Sequence, residues 1–158
     1  MKPATVKQLK DELKHRSYDE LLETCLRLSK FKKENKELLT YLLFESSNEA
    51  EYIERVKQEV DADFKEINTN NYYYVKKSIR KILRNIKKHI RYSGKKETEV
   101  ELLIYFLLKM DSFSPSIHRN KTLQNLYDRQ RAMVEKKLAS LHEDLQYDFE
   151  MELEELSR

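Results

Sequence analysis

The sequence predicts an all-α protein, and three observations carry that prediction. Its 158 residues include one Gly and two Pro, too few turn-formers for the many tight turns of a β-sheet protein. Apolar residues recur at steps of three and four along most of the chain. Ser or Thr followed three residues later by Glu or Gln, a pairing that satisfies the free N–H groups of a helix start, occurs at Thr5/Gln8, Ser17/Glu20, Ser46/Glu49 and Ser140/Glu143. The expectation is a single domain of six to eight mostly antiparallel helices, with an irregular α-solenoid-like stack as the alternative. Residues 1–142 form the bundle in this reading, and residues 143–158 an acidic helical segment packed on it or on a partner.

The elements follow in chain order. Thr5 opens a short helix with Val6, Leu9 and Leu13 on one face. Ser17 opens a second, whose Leu21, Leu22, Cys25, Leu26 and Leu28 run to about Phe31. The lysine-rich stretch 30–33 connects to a third, with Leu38, Leu39, Leu42, Leu43 and Phe44. Ser46 opens a fourth, carrying the stripe Tyr52/Ile53, Val56, Val60, Phe64 and Ile67. Asn68 to Asn71 is a polar junction of N-cap residues before a fifth helix, about Tyr72 to Tyr92, and Gly94 stands where a left-handed C-terminal position favours a residue without Cβ. Residues 100–110, VELLIYFLLKM, are apolar nearly all round and read as a buried helix, since a lone strand would have no partner. Ser114-Pro115 reads as a cap followed by Pro at the first helical position. From Leu123 to Leu156 one apolar stripe steps by about 3.7 residues rather than the 3.5 of a left-handed coiled coil, and Ser140 marks a break in it.

Composition bounds the chemistry. Charged residues make up 37 % and apolar residues 39 %, the balance of solvated helix faces around a real core. The single cysteine, Cys25, excludes an internal disulfide and a Cys-based zinc site, and its apolar neighbours predict a packed small hydrophobe. The N-terminal residues lack a stretch of signal-peptide length, and the longest apolar run, Leu102 to Leu108, is far below the roughly 20 residues that cross a bilayer, so the expected location is cytoplasmic with no membrane partner. One glycine cannot build a phosphate-cradling loop. Glu12-Leu13-Lys14-His15 is a lone Glu-x-x-His where a di-metal bundle needs two, and His142-Glu143 lacks a second histidine four residues on. Neither His89 nor His118 has a neighbouring nucleophile and orienting acid. The four histidines read as surface or boundary residues, and no enzyme, cofactor or metal site is assigned.

Charge is segregated although the net is only +3. Residues 68–96 hold ten Lys/Arg and no Asp/Glu, whereas residues 141–158 hold one Arg and seven acids. Within the basic segment Val75, Ile79, Ile82, Leu83, Ile86 and Ile90 form an apolar stripe. Lys76, Lys77, Arg80, Lys81, Arg84, Lys87, Lys88 and Arg91 take the remaining arc, with no acid one turn away to relieve their repulsion. Lys and Arg stems covering the edges of a core account for part of this pattern. The remaining excess calls for a negative partner. The candidates are the chain's own acidic tail, an acidic surface of a partner subunit or other protein, and nucleic-acid phosphate. Tyr72, Tyr73 and Tyr74 suggest base stacking, but consecutive helical residues point about 100° apart and cannot share one stacking surface.

The segments FKKENKELLTYLLFE, SIRKILRNIKKHIRY and LHEDLQYD resemble those of an uncharacterised bacterial all-helical family of no known function. The resemblance extends over most of the chain and implies no activity, cofactor or site residue. The functional expectation is a non-enzymatic protein-interaction module whose basic helix over 72–92 engages an acidic surface, with nucleic-acid binding by that helix as the alternative. Its own tail is the first candidate for the acidic surface, because Leu145, Phe149, Leu153 and Leu156 need burial somewhere.

Overall fold

The computed structural model describes residues 1–156, and among them the chain is all-helical, with no strand. Eight α-helices follow in order: α1 (Val6–Leu13), α2 (Tyr18–Phe31), α3 (Lys33–Thr40), α4 (Glu49–Lys65), α5 (Tyr72–Ser93), α6 (Lys96–Asp111), α7 (Lys121–Leu138) and α8 (Glu143–Glu154). A π-helical turn, Tyr41–Glu45, continues α3, and a 3₁₀ turn, Ile117–Arg119, precedes α7. The expected bundle over 1–142 resolves into two compact units, Met1–Phe44 and a second beginning at Glu45. The boundary falls at the last residue of the π-helical turn, beside the polar stretch 45–48.

The first unit comprises α1, α2 and α3. Both predicted capping boxes form there: Gln8 N–H donates to Thr5 Oγ1 at 3.3 Å, and Glu20 N–H to Ser17 Oγ at 3.2 Å. The Ser17 backbone N–H in turn donates to Glu20 Oε2 at 2.8 Å, and these bonds from Ser17 hold the Glu20 carboxyl below its ordinary pKa. Helices α2 and α3 pack side by side, and Asn35 Nδ2 donates to Leu28 O at 2.8 Å across their junction. The interior is nearly absent: of the residues described in this unit, only Ser29 and Tyr41 are buried. Cys25, expected to pack as a small hydrophobe, is exposed instead. Its apolar face exists, but three short helices offer nothing to lay across it.

The second unit is built round α6, which packs against α4, α5, α7 and α8. That position explains why 100–110 is apolar on all sides: Leu102, Leu103, Ile104, Phe106 and Leu107 are all buried, and Phe106 lies 6.1 Å from Phe64 of α4, ring centre to ring centre. The stripe of α4 is buried as its spacing predicts, through Tyr52, Ile53, Val56, Val60 and Phe64. Gly94 sits at φ 68°, and its N–H caps Ile90 O at 2.9 Å.

Three starts differ from the sequence reading. Helix α4 begins at Asn48, which caps Glu51 N–H, rather than at Ser46 with Glu49; Ser46 and Ser47 turn the chain out of the π-helix first. Ser114-Pro115 does not open α7: the helix starts after Asn120, whose side chain accepts from Leu123 N–H. The break at Ser140 is present, but Ser140 Oγ donates back to Lys137 O and His142 caps α8.

Candidate functional site

The basic face lies on α5. Asn71 starts the helix by accepting from Tyr74 N–H at 3.3 Å, and the stripe Val75, Ile79, Ile82, Leu83, Ile86 and Ile90 is buried as expected. With that side fixed to the core, the helical repeat gathers all eight cations into an arc of about 140° on the opposite side. Lys77, Arg80, Lys81, Arg84 and Arg91 are exposed, while Lys76, Lys87 and Lys88 are half-buried along the edges. From Lys76 to Arg91 the row extends about 22 Å. Tyr73, Lys76, Lys77, Arg80 and Arg84 line a shallow cleft of about 440 Å³ at its N-terminal end.

The neighbouring aromatics have separate duties. Tyr72 turns inward, and its hydroxyl donates to Ser116 O at 2.8 Å. Tyr73 and Tyr74 contact each other edge to face at 5.4 Å. They form no flat platform.

The acidic tail does not cover this face, which corrects the first candidate named for it. Helix α8 packs on α6 and buries Phe149, Leu153 and Leu156, so its apolar stripe is satisfied there. Gln146 Nε2 donates to Leu141 O at 2.6 Å and to Ala139 O at 3.3 Å, folding α8 back against the end of α7. Glu152 faces Glu101 and Lys57; burial, with the Glu101 charge adding to it, raises its carboxyl above the ordinary value. Among the described residues, Lys76, Lys77, Arg80, Lys81, Arg84, Lys87 and Arg91 make no ion pair with α8. The apolar stripe determines where the tail docks, and charge does not redirect it.

Several polar clusters join neighbouring elements, and those on Glu49 and Asp61 are invisible to a local reading of the sequence because their members stand more than 40 residues apart. Glu49 at the start of α4 accepts from Ser93 Oγ, from Thr98 Oγ1 at 2.7 Å and from Lys95 Nζ at 3.2 Å, fastening the α5–α6 corner. Asp61 accepts from Tyr105 at 2.6 Å and pairs with Lys109 at 2.8 Å. Burial and the bond to Asp61 push the Tyr105 hydroxyl up to about 12. His89 lies between α4 and α5, its backbone carbonyl accepting from Tyr52 at 2.9 Å and its ring 3.2 Å from Glu59. His118 has Gln124 Oε1 on Nδ1 at 2.5 Å and Asp111 Oδ1 on Nε2 at 2.7 Å. These bonds fasten neighbouring elements of the unit to one another. Glu12 and His15 of the lone Glu-x-x-His are both exposed, and among the described residues no three His, Cys, Asp or Glu side chains gather as metal ligands. Among the same residues no helix is long and apolar enough to cross a membrane. No protein-family model, curated protein or solved structure matches the chain.

Proposed function

We propose that the chain is a non-enzymatic protein-interaction module whose α5 face engages an acidic protein surface supplied in trans. The observation that supports this reading is the uncovered row of cations. Like charges at these helical spacings destabilise by about 0.2–0.5 kcal/mol per pair, and roughly seven such pairs lie among Lys76, Lys77, Arg80, Lys81, Arg84, Lys87 and Arg91, so these seven carry on the order of 1.5–3.5 kcal/mol of repulsion. A surface rich in Asp and Glu relieves that repulsion. The exposed acids of another copy's α8, or of a different protein, have the required chemistry.

Nucleic acid is the second reading, favoured by Tyr73 lining the same cleft as Lys76, Lys77, Arg80 and Arg84. It is ranked lower because the tyrosines offer no stacking platform and because Glu59, beside His89, borders the helix with negative charge. A titration with a labelled acidic helical peptide and a labelled oligonucleotide, each from low to moderate salt, separates the two. The proposal expects tighter binding of the peptide, lost when Lys77, Arg80, Lys81 and Arg84 are changed together to Gln. Tighter binding of the oligonucleotide, with a steep salt dependence that the same variant flattens, would replace the first reading with the second.

A further inference from the structure

The first unit leaves its apolar surface open. Between α2 and α3 runs a groove of about 300 Å³ lined by Cys25, Leu28, Ser29, Asn35, Leu38, Leu39 and Leu42, without a charged residue. In the groove and along its margins Leu22, Leu26, Leu28, Leu38, Leu42 and Leu43 are between 37 and 65 % exposed. The helices themselves are well specified, with two complete capping boxes and a side-by-side α2–α3 pair. Local sequence here demands helices, yet the unit has almost nothing inside. With only Ser29 and Tyr41 buried in it, the unit would gain stability from a further apolar layer.

We infer that this groove is a self-association surface, occupied by the α2–α3 pair of a second copy of the chain. Three features single out a second copy. A contact about a two-fold axis sets each surface against itself, and a lining free of charge brings no like charges together. The six leucines expose on the order of 500 Å² per copy, the apolar share of the roughly 800 Å² that each partner contributes to a standard interface. A second copy is also the one partner present whenever the chain is, so an aggregation-prone apolar surface need never wait uncovered. Two hairpins joined in this way make a four-helix layer, the simplest arrangement that buries both apolar stripes. The inference is independent of the α5 face.

Sedimentation equilibrium of the full chain over a range of micromolar concentrations, together with the rate at which a thiol reagent labels Cys25, tests it. The expected result is a mass of twice the chain, with Cys25 labelling at least tenfold slower at concentrations where the dimer forms than after dilution. Leu28→Glu and Leu42→Glu, each at an exposed position, should return the mass to that of one chain while the thermal transition of the second unit persists. A chain that stays monomeric throughout overturns the inference and leaves the groove to a different protein or to the rest of the chain. A dimer whose Cys25 labels equally fast at all concentrations overturns it too, because the contact then lies elsewhere.

Discussion

Changing Arg84 to Glu should make the free protein more stable while weakening the acidic-surface binding proposed for α5. Arg84 is exposed at the middle of the basic row, with Arg80 and Lys81 one turn before it and Lys87 and Lys88 one turn after. Each of those four pairs is now repulsive by about 0.2–0.5 kcal/mol, and the substitution reverses its sign. Glu and Arg have nearly equal helix propensity, and Arg84 gives up no ion pair with α8, so little opposes the gain. Full additivity would give about 1.5–4 kcal/mol, and mutual screening among exposed flexible side chains brings the expectation to roughly 1–2 kcal/mol at low ionic strength. Arg84→Gln, which removes the repulsion without adding attraction, should give about half. The assay is urea unfolding by circular dichroism at low salt and again in about 1 M salt, where the screening length falls to about 3 Å. The gain should appear as a higher midpoint at unchanged slope and nearly vanish in high salt. A loss of stability at low salt, or a gain that survives high salt, would refute the claim that repulsion around Arg84 costs the protein stability.

Other perturbations probe the rest of the molecule. Phe106→Ala removes a fully buried ring of α6 and should lower stability by about 3–5 kcal/mol in calorimetry or urea unfolding, provided the site cannot collapse. Deleting residues 143–156 uncovers α6 and should lower the melting temperature, but it should leave the affinity of α5 for an anionic probe unchanged; a rise in that affinity would show the tail shielding the face. His118 has an acceptor on each ring nitrogen, first Gln124 and then Asp111, and these bonds favour the imidazolium and raise its pKa above 6.5. Its contribution to stability is therefore full below pH 6.5 and is lost as pH rises through the higher folded value. Stability curves across pH 5.5–8.5 should show that loss in the parent protein and not in His118→Phe.

Most of the fold was legible because helices announce themselves locally. Thr5/Gln8 and Ser17/Glu20 cap the helices they mark, Gly94 takes the left-handed position, and residues 100–110 occupy the centre that their all-round hydrophobicity requires. Boundaries failed where two polar signals compete within a turn. Asn48 displaced Ser46 because a π-helical turn carries the chain past the serines, and that winding has no local signature in the sequence. The basic row was legible residue by residue, since helical periodicity alone gathers Lys76 to Arg91 on one side. Its freedom from the tail was not, because α8 could satisfy its stripe on α6 or on α5 with the same residues. The exposed leucines of the first unit misled in the opposite direction: their spacing says which side is apolar, not whether anything in the chain covers it.

The position of α6 determines how the second unit can come apart. Helices α4, α5, α7 and α8 each lean on it, so removing α6 leaves the others without a common interior. Partial openings that keep a packed remainder can release α8 or the ends of α7, but none can release α6 and leave a structure behind. Backbone amides of residues 102–107 should therefore exchange with solvent only through complete unfolding of the unit, and their protection should report its global stability directly. Amides of α1, in the first unit and with no buried residue, should exchange by local fraying orders of magnitude faster.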